Sequence, residues 1–84
     1  MTEDQIKSVV FHLLKTIAPD TDPTQLKPGD NIRQKLSIDS FDYLQFIVGL
    51  DKELSIQTPE EDYGRIGTLK ELVEYVFSRK EAAG

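Results

Sequence analysis

Three stretches of the 84-residue chain repeat apolar residues at the spacing of an α-helix, and none alternates convincingly with the period of a strand. The first opens on Thr2-Glu3-Asp4-Gln5, where a hydroxyl and an amide three residues apart can each bond the other's backbone N–H. Ile6, Val9, Val10, Leu13 and Ile17 then share one face, which predicts a helix over 3–17. The last stretch opens on a second box of this kind, Thr68-Leu69-Lys70-Glu71, and continues with Leu72, Val73 and Val76, which predicts a helix to about Ser78. The tail RKEAAG has no apolar anchor and is expected to fray, leaving an ordered core over about 3–78. The middle stretch predicts a helix from Asp39 or Ser40 to about Leu54, with Phe41, Leu44, Ile47, Val48 and Leu50 turned inward. Gly49 weakens that helix by about 0.5–1 kcal/mol relative to alanine, and close packing of a neighbouring helix is the expected reason for it.

The connections read as loops. Pro23 and Pro28 remove backbone donors, and Asp20, Asp22 and Asp30 favour local turns, so 18–38 is expected to be a long loop. Within it NIRQKL can form a short helical turn, and Leu26, Ile32 and Leu36 are the expected ties to the core. Thr58 and Pro59 predict the cap and first turn of a short helix running to about Tyr63, with Gly64 ending it. The expected fold is all-α: a four-helix bundle of three longer helices and one short one, with a long loop between the first and second, in a single domain over 1–84.

Composition narrows the chemistry. With no cysteine there is neither a disulfide framework nor a thiolate metal site, and His12 is the only imidazole, so no metal site and no enzyme is expected. The glycines make neither a phosphate-cradling loop nor a dinucleotide fingerprint. A net charge of −5 argues against nucleic acid. No apolar run approaches the roughly 20 residues that cross a bilayer, and MTEDQIKSVV does not resemble a leader, so a cytoplasmic protein without membrane insertion is expected. The acidity is local: from Asp39 to Asp62 seven acids face the single base Lys52. Such a run is either a solvated helix face or a docking surface for basic partners.

The dyad Asp39-Ser40 stands at the start of the middle helix. A serine there, taken alone, is a cap. Asp39 can do that work, however, which leaves the Ser40 hydroxyl at a helix N-terminus, where an attached phosphate would be favoured.

IDSFDYLQFIVGLDKEL, followed by TPEED and RIGTLKELVEYV and preceded by a helix and a long loop, resembles the acyl carrier proteins over essentially the whole chain. The resemblance implies that Ser40 bears a 4'-phosphopantetheine arm installed by a phosphopantetheinyl transferase. Acyl intermediates then ride as thioesters between enzymes of fatty-acid, lipid or polyketide-type biosynthesis. It implies that Asp39 positions the site and that Asp42, Phe41, Gln45, Val48, Asp51, Glu53, Glu60 and Glu61 meet basic patches on partner enzymes. Phe46, Gly49, Leu50, Tyr63 and Ile66 become candidates for an acyl pocket, and the protein is expected to be a monomer. Ser37 stands where the family usually has glycine, Phe41 where leucine or methionine is usual, and Gln45 where an acid is common, while Lys52 interrupts the acidic run. These departures imply a specialised carrier. The alternatives are an amino-acyl or peptidyl carrier, or an unmodified helical interaction module in which Ser40 is only a cap.

Overall fold

Both capping boxes close as their residues dictate. Thr2 Oγ1 accepts from the Gln5 N–H at 3.1 Å while Gln5 Oε1 accepts from the Thr2 N–H at 2.8 Å. Thr68 and Glu71 make the same reciprocal pair at 3.1 Å each. In the computed structural model, which describes residues 1–83, these boxes start α1 (Glu3–Ile17) and α4 (Leu69–Ala83). Between them lie the one-and-a-half-turn α2 (Ile32–Leu36), the long α3 (Ser40–Leu54), and two 3-10 turns at Pro23–Gln25 and Glu60–Arg65. The fold is all-helical.

Helices α1, α3 and α4 enclose one core. α1 contributes Ile6, Val10 and Leu14, α3 contributes Phe46, Ile47, Leu50 and Leu54, and α4 contributes Leu69, Leu72, Val73 and Val76, all buried. The expected ties Leu26, Ile32 and Leu36 are buried with them, so the long loop is held down by its own apolar residues. It is also stitched to the start of α4. Ile32 N–H donates to Gly67 O at 3.0 Å, Leu69 N–H to Asp30 O at 3.2 Å and Lys70 N–H to Pro28 O at 2.9 Å.

The inward face of α3 differs from expectation. Phe41 is 66% exposed, Leu44 37% and Val48 38%, whereas Phe46 is fully buried and only Ile47 and Leu50 of the expected stripe face the core. α3 is apolar on two faces, and Phe41, Leu44 and Val48 share helical spacing as well as Tyr43, Phe46, Ile47, Leu50 and Leu54 do. Periodicity alone cannot choose between two apolar stripes; packing against α1 and α4 does.

α4 runs past Ser78 to Ala83, beyond the expected end. Its last turns are anchored by cations rather than by apolar contact: the Arg79 guanidinium donates to Gln57 O at 2.7 and 3.3 Å, and Lys80 Nζ to Leu54 O at 2.9 Å. A base in the last turn also suits the negative end of the helix dipole.

The short third element is a 3-10 turn rather than a capped α-helix. Thr58 does not cap it, because its N–H and hydroxyl both donate to the Asp51 carboxylate, at 3.0 and 2.7 Å. Gly64 does not end it either, since the turn continues through Arg65. At Gly49, an added Cβ would lie 3.8 Å from Leu13 Cδ2. α1 is therefore adjacent, as expected, but at a distance that does not demand glycine. No described glycine has positive φ; the left-handed positions are instead Ser37 at φ 55° and Ser55 at φ 56°, closing α2 and α3.

Candidate functional site

The site is built where α2 hands the chain to α3. Ser37 turns left-handed, and its N–H and that of Ile38 both return to Arg33 O. Ile38 is then buried, and its carbonyl accepts from Arg33 Nε at 3.3 Å, so the joint is held from both sides. Asp39 follows in extended conformation as the N-cap, its Oδ1 accepting from the Asp42 N–H at 2.7 Å, as its position in the sequence predicts.

Ser40 is the first residue of α3, exposed, and its hydroxyl has no partner among the described residues. The Ser40 and Phe41 N–H groups lie in the first turn, where the helix itself provides no acceptor. Two donors and the positive end of a 15-residue helix therefore surround an exposed hydroxyl, a setting that favours an anion attached there. Asp39 and Asp42 add negative charge on either side. His12, the one imidazole, lies exposed on α1, and of the two carboxylates flanking Ser40, that of Asp39 is engaged in capping the helix.

The surface running from Ser40 along α3 is apolar at its centre. Phe41, Leu44 and Val48, at successive turns, are exposed there, with Gln45 also exposed between them. Leu44 was expected inside and is instead part of this stripe; its spacing from Phe41 and Val48 was the available signal. Asp42, Glu53, Glu60 and Glu61 are exposed. Asp51 is half-buried and engaged with Thr58, and Asp62 accepts from the Tyr75 hydroxyl at 2.7 Å and pairs with Arg65 at 3.6 Å. Two members of the acidic run thus hold the fold together.

Of the pocket candidates, Phe46, Leu50 and Ile66 meet in the core, Tyr63 is half-buried against it, and Gly49 faces α1. The sequence pattern singled out no role for Tyr43. Its hydroxyl donates to Ile66 O at 2.5 Å, and its phenol is pushed well above its ordinary range by burial. A cleft of about 310 Å³ opens between the end of α1 and the α2–α3 joint, lined by the apolar Ile17, Ala18, Pro19, Leu36 and Ile38 together with Asp20, Thr21, Ser37 and Asp42.

A small helical body with an exposed serine at the start of a long helix is compatible with a carrier domain. The chain belongs to the acyl carrier protein family: the family profile described as "Phosphopantetheine attachment site" matches residues 6–76. It is 30% identical over 79 residues to an acyl carrier protein of Chlorobium phaeovibrioides, covering 94% of this chain and 100% of that one. An acyl carrier protein of Helicobacter hepaticus is 29% identical over 79 residues, covering 94% and 97%. Among solved structures, that of the acyl carrier protein from Enterococcus faecalis superposes with a TM-score of 0.71 at 27% identity, over 94% of this chain and 99% of the other. This chain is accordingly a carrier of acyl groups on a covalently attached 4'-phosphopantetheine, not a catalyst. No described helix is long and apolar enough to cross a membrane.

Proposed function

We propose that Ser40 is the attachment residue, and that α3 is the face on which partner enzymes read the carrier. The observation that carries this is the division of labour at the helix start: Asp39 caps the backbone, which leaves the Ser40 hydroxyl exposed and, among the described residues, unpaired. In the loading step, Ser40 Oγ forms a bond to the pantetheine-side phosphorus of coenzyme A. The bond from that phosphorus to the bridging oxygen breaks, adenosine 3',5'-bisphosphate departs, and the serine proton passes to a base of the transferase. The open N–H groups of Ser40 and Phe41 at the start of α3 would hold a phosphodiester attached there. The arm brings the thiol that this cysteine-free chain lacks, and acyl groups form thioesters with it.

The docking face combines the exposed Phe41, Leu44 and Val48, with Gln45 between them, and a rim of Asp42, Glu53, Glu60 and Glu61. Exposed charges of one sign steer basic partners and let them leave quickly, which suits a shuttle; the apolar row adds contact area that salt does not screen. Asp51 contributes charge to this face, although its oxygens are held by Thr58. Phe41, Gln45 and Lys52 fit a carrier dedicated to particular enzymes, working as a monomer in the cytoplasm. Phe46, Gly49, Leu50, Tyr63 and Ile66 would border the space taken by any acyl chain that entered the core.

Intact mass after incubation with a broad-specificity phosphopantetheinyl transferase and coenzyme A tests the attachment. The wild type should gain one arm and Ser40→Ala none. An unmodified wild type, or equal gain on the variant, overturns the assignment.

A further inference from the structure

Tyr43 is the first side chain of α3 after Ser40 to turn toward the interior. Its ring lies 5.5 Å from that of Phe46, centroid to centroid, tilted by 40°. Its hydroxyl donates to the carbonyl of Ile66 at 2.5 Å, across 23 residues of sequence. That bond joins the start of α3 to the segment entering α4, and behind it lie the buried Phe46, Leu50 and Ile66. Further along α3, the Asp51 carboxylate ties the same segment through Thr58. Opening this seam beside Ser40 strands a phenol and a carbonyl, each of which needs a partner when removed from water. The cleft between the end of α1 and the α2–α3 joint is bordered by Ile17, Ala18, Pro19, Leu36 and Ile38 as well as by Asp20, Thr21, Ser37 and Asp42, and it includes no residue of the Glu60–Ile66 segment, so it does not open the seam that Tyr43 closes.

We propose that Tyr43 is a specificity-determining residue: a bolt across the seam between α3 and the Glu60–Ile66 segment, which keeps cargo outside the core and adapts this carrier to short or polar acyl groups. The proposal rests on Ser40 as the attachment residue. A long alkyl chain on this arm stays in water or on a partner enzyme, while a short or polar one loses nothing by remaining outside.

The test charges the protein with butyryl, octanoyl and dodecanoyl arms through the transferase and the corresponding acyl-coenzyme A. Mass confirms each load, and two quantities are then read: the rate of thioester hydrolysis and the amide resonances of Phe46 and Ile66. In the wild type the three rates should agree within about twofold, and both resonances should stay in place, because no methylene is buried. In Tyr43→Ala the dodecanoyl thioester should hydrolyse at least about tenfold more slowly than the butyryl, each buried methylene being worth about fourfold in the equilibrium. Tyr43→Phe keeps the ring, loses only the bond to Ile66, and should show a smaller dependence of the same sign; it carries the comparison if the alanine variant does not fold. Chain-length protection already present in the wild type overturns the proposal, as does its absence from the folded variants. Failure to gain mass overturns both the attachment at Ser40 and the proposal that rests on it.

Discussion

Asp39 spends its carboxylate on the backbone, and Ser40 is thereby released from structural duty. Asp39→Ala should cost about 0.5–2 kcal/mol, while Ser40→Ala should stay within about 0.5 kcal/mol, both read from chemical denaturation. A large loss at Ser40 would return that residue to the role of a cap. Three positions earlier, Ser37 holds a left-handed conformation that disfavours a side chain. Ser37→Gly should therefore raise stability by about 0.5–1 kcal/mol, the relief of that conformation outweighing the added freedom of the unfolded chain. A neutral or negative change in the denaturation midpoint would show that the Ser37 side chain compensates. Ser37 stands where the family usually has glycine, and that glycine was the available sign of a left-handed backbone. Ser55 lies outside any recognisable motif and carried no such sign. Caps are legible because their chemistry is local; a left-handed serine is set by where the next helix must go.

α3 shows what an element's own pattern leaves open. Its start was legible from Asp39 and its end is near the expected Leu54, yet three of the five residues expected inside are on the surface. The two stripes differ in their tertiary partners and not in their spacing. Phe46→Ala should cost about 3–5 kcal/mol, whereas Phe41→Ala should change stability by no more than about 0.5 kcal/mol. The Phe41 variant should instead slow loading by the transferase, measured as the rate of mass gain at limiting enzyme. Loss of stability at Phe41 with unchanged loading would contradict the docking role. At Gly49 the neighbouring Leu13 leaves room for a methyl group. Gly49→Ala should accordingly stabilise α3 by about 0.5–1 kcal/mol in thermal or chemical denaturation, and destabilisation would mean that α1 cannot give way. α4 was legible at its box and not at its end, because Arg79 and Lys80 anchor it through carbonyls supplied by distant residues.

Over the whole molecule, the three long helices share an apolar core, and the connection from α3 to α4 joins it at the buried Ile56 and Ile66 and is held between them by polar clasps. Its 3-10 turn contains no buried residue. Tyr43 and Asp51 hold the connection from α3, while Tyr75 and Arg79 hold it from α4. Two of these clasps are phenols whose protons are retained beyond the ordinary value of 10.0. Tyr75 is pushed up to about 12 by desolvation and by its bond to Asp62, and Tyr43 is raised further by burial. Below about pH 10 folded and unfolded chains both keep these protons, and the stabilisation is complete. As the pH rises past that point the unfolded chain releases them first, so stability falls progressively toward the folded values. Deprotonation of lysines deepens the net charge of −5 over the same interval and also weakens the compact state. The two causes separate by substitution. Between about pH 9 and about pH 11 the denaturation midpoint of the wild type should fall more steeply than that of the Tyr43→Phe, Tyr75→Phe double variant, which has no phenol to ionise at either clasp. Parallel declines would assign alkaline unfolding to charge repulsion alone.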